Sequence, residues 1–130
     1  MSQKENSFDR PRFDRCNLFE LTLEQGCAHD GKGDISFRRI AVQTDLDGTC
    51  NFIDYAEVPA GCTIGRHSHR CDEEEFYLVL SGEGQMLQDG DTFQVRAGHL
   101  IRNRPGGTHS LWNIGSEVIR LFVFELRVPK

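Results

Sequence analysis

Residues 61–82, GCTIGRHSHRCDEEEFYLVLSG, combine two histidines one residue apart with a run of four acids and an apolar segment that ends at a glycine. Side chains alternate between the two faces of a strand, so His67 and His69 would project to the same side, about 6–7 Å apart at the backbone. Two imidazoles placed in this way can bind one cation. Two exposed histidines in a turn would produce the same short pattern, so the pair needs support from other residues.

The acidic run that follows the histidines leads directly into an apolar strand. By alternation Glu75 would share one face of this strand with Tyr77 and Val79, whereas Glu74 would lie on the opposite face. One of the two acids must therefore point inward, and a buried carboxylate is unfavourable unless a cation or hydrogen-bond donors compensate it. A metal ion held by the imidazoles would do so, with either Glu75 or Glu74 as the carboxylate ligand.

The elements that must position these groups are short strands. From Leu18 onward, β-branched and aromatic residues occur in short runs broken by glycine and aspartate, and no stretch of helical length keeps a 3.6-residue apolar period. About nine strands at a spacing of roughly ten residues predict an all-β sandwich or barrel of the jelly-roll type. The predicted strands are LFELTLE, ISFRRIAVQ, CNFIDYAEV, EFYLVLSG, EGQMLQD, TFQVRA, HLIRN, HSLWNI and EVIRLFVFEL.

Two Asp-Gly pairs, Asp47-Gly48 and Asp89-Gly90, predict tight hairpins, because this dipeptide tolerates the positive φ angles of primed turns. The segments YLVL and LFVF are apolar on both faces, so we expect their strands to lie inside a sheet rather than at its edge.

Length and charge set the limits of the prediction. A chain of 130 residues is long enough for one domain with a core, and we expect an N-terminal arm at residues 1–15 and a barrel domain at residues 16–130. The net charge of -5 gives no basic footprint for nucleic acid or an anionic membrane. There is no apolar segment of membrane-spanning length, and the polar start is unlike a secretory signal, so a cytoplasmic location is expected.

The five cysteines, odd in number and irregular in spacing, suit reduced thiols.

The histidine and acid region resembles the first motif of the cupin superfamily, which runs glycine, five residues, HxH, three or four residues, glutamate, six residues, glycine. The matching positions are Gly61, His67, His69, Glu75 and Gly82, with five residues instead of three or four between His69 and Glu75. Taking Glu75 as the ligand places the insertion in a loop, where it costs little. Taking Glu74 would instead shift the strand by one residue and reverse its faces.

The second cupin motif, which runs glycine, five residues, proline, any residue, glycine, two residues, histidine, three residues, asparagine, is matched by Gly98, Gly106, His109 and Asn113. Arg104 stands where the family usually has proline. The two motifs occur in the family's order, and the resemblance extends over about residues 50–126.

The resemblance implies a double-stranded β-helix barrel in which His67, His69, Glu75 and His109 coordinate one divalent metal ion. Three imidazoles and one carboxylate suit Fe(II), Mn, Ni, Cu or Zn, and the donor set leaves the choice among them open. Four ligands on an octahedral ion would leave two positions for water, oxygen or a bidentate substrate.

Two features near the predicted site have both a functional and a structural interpretation. Tyr77 shares the face of Glu75, so its hydroxyl is a candidate for contacting a substrate or acting as an acid, and a core tyrosine is the alternative. Residues 26–34, GCAHDGKGD, form a glycine-rich loop that could cover the barrel mouth with Cys27 and His29 reaching inward. A plain connecting loop, with His29 an ordinary surface residue, is the alternative.

Other polar residues are assigned more simply. His99 is expected at the surface. Arg102 and Arg104 could clamp a carboxylate substrate or form salt bridges at the rim. Asn113 would share the face of His109 and could orient a ligand from outside the coordination shell.

The leading functional hypothesis is a metal-dependent cupin enzyme that acts on a small polar organic molecule, with a dioxygenase as the most natural reaction and with Glu75 and Tyr77 as catalytic candidates. A metal-dependent isomerase, lyase or decarboxylase would use the same site, because fold similarity does not choose among these chemistries. A non-catalytic small-molecule-binding module is the alternative from another class. The resemblance, together with the apolar outer strands, also predicts a homodimer formed through strand faces.

Overall fold

The structure, a computed structural model, describes residues 13–129. Most of the predicted N-terminal arm lies outside this range, and its described part, residues 13–15, forms no helix or strand. Between residues 13 and 129 there are two short 3-10 helices, Leu18–Glu20 and Gln43–Asp45, and ten β-strands. The strands are β1 (Glu24–Gly26), β2 (Ile35–Val42), β3 (Cys50–Val58), β4 (Thr63–Ser68), β5 (Glu73–Ser81), β6 (Glu83–Gln88), β7 (Asp91–Arg96), β8 (Leu100–Asn103), β9 (Thr108–Trp112) and β10 (Ile119–Arg127).

The strands form two antiparallel sheets, which confirms the predicted all-β jelly-roll architecture. The larger sheet has the order β1-β2-β3-β10-β5-β8, and the smaller sheet has the order β4-β9-β6-β7. Alternation along each strand sends one set of side chains between the sheets. Both sheets contribute to a single apolar core, whose largest fully buried members include Met86, Leu111, Ile119 and Leu121.

The strands YLVL and LFVF lie inside the larger sheet, as predicted, because β5 pairs with β10 and β8, and β10 pairs with β3 and β5. Only their inner face is fully buried. On the outer face Phe76 and Phe124 stack with their ring centroids 5.0 Å apart and remain partly exposed.

One predicted hairpin is confirmed. Asp89 and Gly90 have φ angles of 49° and 91°, and they join β6 to β7 with Gln88 directly opposite Asp91. This is the two-residue connection that positive φ angles permit.

The hairpin predicted at Asp47-Gly48 is wrong in its detail. Strands β2 and β3 do pair, but residues 43–49 connect them and include the second 3-10 helix. The side chain of Asp45 accepts a hydrogen bond from the backbone N–H of Val42 at 2.9 Å, which stabilises the longer turn.

The strand predicted at LFELTLE is also largely wrong. Its first residues form the 3-10 helix Leu18–Glu20, and only its last residue belongs to β1. Asn17 explains the change, because its side-chain oxygen accepts a hydrogen bond from the N–H of Phe19 at 2.9 Å and so closes a local turn.

All five cysteines lie within the described range and are free thiols, as expected. Within residues 13–129, no helix has the length and apolar character needed to cross a bilayer.

Candidate metal centre

Four side chains from three strand regions converge at one end of the barrel. His67 lies on β4 and His69 just beyond its end, Glu75 lies on β5 in the opposite sheet, and His109 lies on β9. His109 Nε2 is 3.0 Å from His67 Nε2 and 3.2 Å from Glu75 Oε1, and His69 Nε2 is 3.1 Å from the same carboxylate oxygen. One donor atom from each of the four residues lies within 4.8 Å of the others.

Strand pairing brings these groups together. In the smaller sheet β9 pairs with β4 so that His109 lies opposite His67. The N–H of His69 donates to the carbonyl of Gly107 at 3.0 Å, which extends this pairing past the end of β4. The sequence motif HxH therefore faces the interior at the place where β5 delivers Glu75.

The spacing of the donor atoms suits a shared divalent ion better than it suits hydrogen bonds between the four side chains. His69 Nε2 and Glu75 Oε1 are buried and have no hydrogen bond of good geometry within the described residues. An ion about 2.1 Å from each donor would separate neighbouring donors on an octahedron by about 3.0 Å. The contacts of 3.0–3.2 Å match that separation, so the cluster could hold a metal ion.

The choice between the two acids follows from the faces of β5. Glu75 is 5% exposed and lies in the cluster. Glu74 points to the other face and forms a salt bridge with Arg102 at 3.2 Å. Glu75 is therefore the carboxylate that the fold brings to the histidines. Of the two interpretations of Arg102, a substrate clamp or a salt bridge at the rim, the structure shows the salt bridge.

The outer nitrogens of two histidines have acceptors that define which nitrogen faces the cluster. His67 Nδ1 donates to the carbonyl oxygen of Gly65 at 2.8 Å, and His69 Nδ1 donates to Glu125 Oε1 at 3.1 Å. Both arrangements direct Nε2 toward the shared centre. Metal-binding histidines commonly have such partners on the opposite nitrogen.

Sequence reasoning missed Glu125. In the segment LFVFEL, Leu121, Val123 and Glu125 share one face by alternation, and that face is buried on β10. An acid at the end of a buried face was therefore the available signal.

The surroundings shift the pKa values of the cluster in different directions. Burial would raise the pKa of Glu75, but the close contacts and charge interactions with His109 and His69 outweigh it and lower the pKa to about 2. The hydrogen bond to Glu125 and the close contact with the Glu75 carboxylate raise the pKa of His69 to about 10. Burial lowers the pKa of His67 to about 4.

These shifts predict the proton balance of metal binding. At pH 7 Glu75 is already ionised and His67 already neutral, whereas His69 carries a proton that a metal ion must displace. We expect about one proton to be released per metal ion bound at this pH. Calorimetric titrations in buffers of different ionisation enthalpy measure this number. Release near zero would show that His69 is neutral before the metal arrives.

A cavity of about 510 Å³ opens onto the cluster. Its lining is both apolar and polar, and the polar groups include Arg39, Asp54, Glu73 and Glu125. Arg39 is bound to Asp54 by two hydrogen bonds of 2.9 Å, so its charge is balanced within the wall. The apolar lining residues are Ile35, Phe37, Phe52, Ala56, Ile64 and Val123.

Tyr77 lies beside the cluster. It is 3% exposed, and its hydroxyl is 3.4 Å from His109 Nε2. Burial raises the pKa of Tyr77 well above its usual value, so the hydroxyl keeps its proton.

Part of the loop at residues 26–34 lines this cavity. Cys27 and His29 both line the cavity, and the imidazole of His29, although exposed, stacks on that of His67 with centroids 3.5 Å apart. The N–H of Gly65 donates to the carbonyl of Ala28 at 3.0 Å and anchors the loop on β4.

The remaining candidates lie away from the cluster. His99 is exposed, as expected, and its Nδ1 accepts a hydrogen bond from the N–H of Arg96. Arg104 is exposed. The amide of Asn113 donates to the carbonyls of Val58 and Glu117, so this residue stabilises a turn instead of orienting a ligand.

The fold and the cluster together define a β-barrel protein with a candidate metal centre at one end of its interior. The sequence pattern of the cupin domain family matches residues 54–125, more than half of the chain. The protein therefore belongs to the cupin domain family.

Two curated proteins are similar to this chain in sequence. The chain is 27% identical over 86 residues to an oxalate-binding protein of Thermotoga maritima, covering 66% of this chain and 70% of that one. It is 35% identical over 66 residues to an uncharacterized protein of Methanocaldococcus jannaschii, covering 51% and 52% of the two chains.

A solved structure shows the same fold. It is described as a predicted oxalate decarboxylase from Thermotoga maritima, and it superimposes with a TM-score of 0.81 at 23% identity. The match covers 86% of this chain and 97% of that one.

Proposed function

We propose that this protein binds one divalent metal ion through His67, His69, Glu75 and His109, and that it binds a small organic carboxylate such as oxalate in the cavity beside that ion. The observation that carries the proposal is the convergence of four donor atoms, two of them buried without a hydrogen bond of good geometry, beside a cavity. The oxalate-binding relative supports the ligand class.

The charges around the cavity explain why a carboxylate would need the metal. Glu73, Glu75 and Glu125 contribute negative charge, and the guanidinium of Arg39 is already paired with Asp54. A divalent ion would add the positive charge that an anionic ligand requires, and it would polarise the ligand oxygens as a Lewis acid.

The chain's own groups would then orient the ligand. The protonated hydroxyl of Tyr77 can donate a hydrogen bond near His109, and the apolar lining residues would reduce the contact of the ligand with water. His29 and Cys27 also line the cavity and are exposed, so they could contact a molecule bound there.

Binding of oxalate tests this function directly. We expect calorimetry to detect oxalate binding to protein loaded with Mn(II) or Zn(II), and to detect none after the metal is removed with a chelator and dialysis. Acetate serves as the matched ligand, because one carboxylate cannot chelate through two groups, and it should bind more weakly. Equal oxalate binding with and without metal would refute the proposal, as would its absence in both metal-loaded forms.

The dioxygenase prediction is a second candidate, favoured by the three imidazoles and one carboxylate of the donor set. It requires a redox-active metal such as iron at the site and consumption of oxygen together with a substrate. An oxygen electrode can detect that consumption in Fe(II)-loaded protein.

The homodimer and the cytoplasmic location stay predictions.

A further inference from the structure

Glu125 is a buried carboxylate whose two oxygens bind two different partners. It is 4% exposed and lies on β10 directly opposite Glu75 on β5. Its Oε1 accepts a hydrogen bond from His69 Nδ1 at 3.1 Å, and its Oε2 accepts one from Asn51 Nδ2 at 2.8 Å. A carboxylate held at both ends in this way has a fixed orientation.

We propose that Glu125, itself held by Asn51, is a positioning residue that fixes the imidazole of His69 with Nδ1 protonated and Nε2 directed at the metal. His69 needs this support because it follows the last residue of β4 and so lies outside the regular strand. His67, within the strand, has a backbone acceptor at Gly65 for the same purpose. The inference rests on the proposed metal centre.

Glu73 provides the natural comparison, because it is a second acid near the same nitrogen. Its Oε1 is 3.7 Å from His69 Nδ1, too far for a hydrogen bond, and it accepts one from the N–H of Arg70 at 2.9 Å. If the acids influenced metal binding by His69 through charge alone, replacing Glu73 or Glu125 would have similar effects. If the hydrogen bond is responsible, only replacement of Glu125 should weaken metal binding.

A second cation site is an alternative explanation of this arrangement, and the experiment must distinguish it from the hydrogen bond. His69, Glu73 and Glu125 each place one donor atom within 4.8 Å of the others. A second cation held there would bind His69 Nδ1 in place of the hydrogen bond. The 3.1 Å contact to Glu125 and the anchoring of Glu125 by Asn51 favour the hydrogen bond.

The experiment compares Glu125→Ala, Glu125→Gln, Asn51→Ala and the control Glu73→Gln. Zn(II) affinity is measured by chelator competition. We expect Glu125→Ala to weaken Zn(II) binding about 10- to 100-fold, which is usual when such a partner is lost. Glu125→Gln keeps an acceptor and should restore most of the affinity, Asn51→Ala should be intermediate, and Glu73→Gln should stay within about threefold of the parent.

A spectroscopic readout separates positioning from general destabilisation. Pulsed electron paramagnetic resonance of Cu(II)-loaded protein detects the imidazole nitrogen that does not bind the metal, and its signal depends on the hydrogen bond it makes. We expect Glu125→Ala to alter the signal of one imidazole and Glu73→Gln to leave it unchanged. Thermal melting of the metal-free variants shows whether each one folds. If Glu125→Ala does not fold, Asn51→Ala is used to test the inference instead.

Two outcomes would overturn the inference. Unchanged affinity and unchanged spectra in folded Glu125→Ala or Asn51→Ala would show that His69 needs no positioning. Two metal equivalents in the parent, with one lost in both Glu125→Ala and Glu73→Gln, would show a second cation site instead. Failure of the parent to bind any metal would be a failure of the proposed function, and the metal content of the parent distinguishes the two.

Discussion

Replacing His109 with alanine is expected to abolish stoichiometric metal binding. His109 is 1% exposed, and its Nε2 lies 3.0 Å from His67 Nε2 and 3.2 Å from Glu75 Oε1, so its replacement removes a ligand from the centre of the cluster. Loss of an outer partner alone usually weakens a metal site 10- to 100-fold, and loss of a ligand should exceed about 100-fold. Elemental analysis of protein purified without added metal, followed by chelator competition, measures the effect.

His67→Ala should behave like His109→Ala, because the two imidazoles lie opposite each other in paired strands. His99→Ala is the matched control, since it removes an exposed histidine outside the cluster. Near-ultraviolet circular dichroism establishes that each variant keeps its packed core. Equal metal content in the parent and all three variants would reject the site.

The local part of this site could be predicted from the sequence. Alternation along a strand placed His67 and His69 on one side, and it put Glu75 on the same face as Tyr77, which the burial of β5 confirms. Such predictions succeed because they depend only on the two-residue period of extended backbone. His109, 40 positions after His69, was associated with the cluster only through the family motif.

The long-range part could not be predicted in the same way. The bond from Asn51 to Glu125 joins residues 74 positions apart, and it depends on the pairing of β3 with β10 and on a register shift near the end of β10. The position of His29 over His67 depends on a loop that docks on another strand. Neither register nor loop docking leaves a periodic pattern in the sequence.

Gly65 allows the loop at residues 26–34 to dock on β4. Replacing Gly65 should produce the second of the two largest effects that we expect. A Cβ atom at this position would overlap the backbone carbonyl oxygen of His29 and would lie 2.8 Å from the N–H nitrogen of Gly31. Both obstacles are backbone atoms, so the loop must move as a unit. It would lose the hydrogen bond from Gly65 to Ala28 and the stacking of His29 on His67.

We therefore expect Gly65→Ala to lower the free energy of unfolding by about 2–4 kcal/mol and the melting temperature by on the order of 10 °C. Gly48→Ala is the matched control, because a Cβ there meets no atom within 4 Å and the backbone is outside the left-handed region. That variant should stay within about 0.5 kcal/mol of the parent. Thermal and urea unfolding followed by circular dichroism measure both. Equal stability of the two variants would mean that residues 28–31 do not pack against β4, because an added methyl group at Gly65 would then meet nothing.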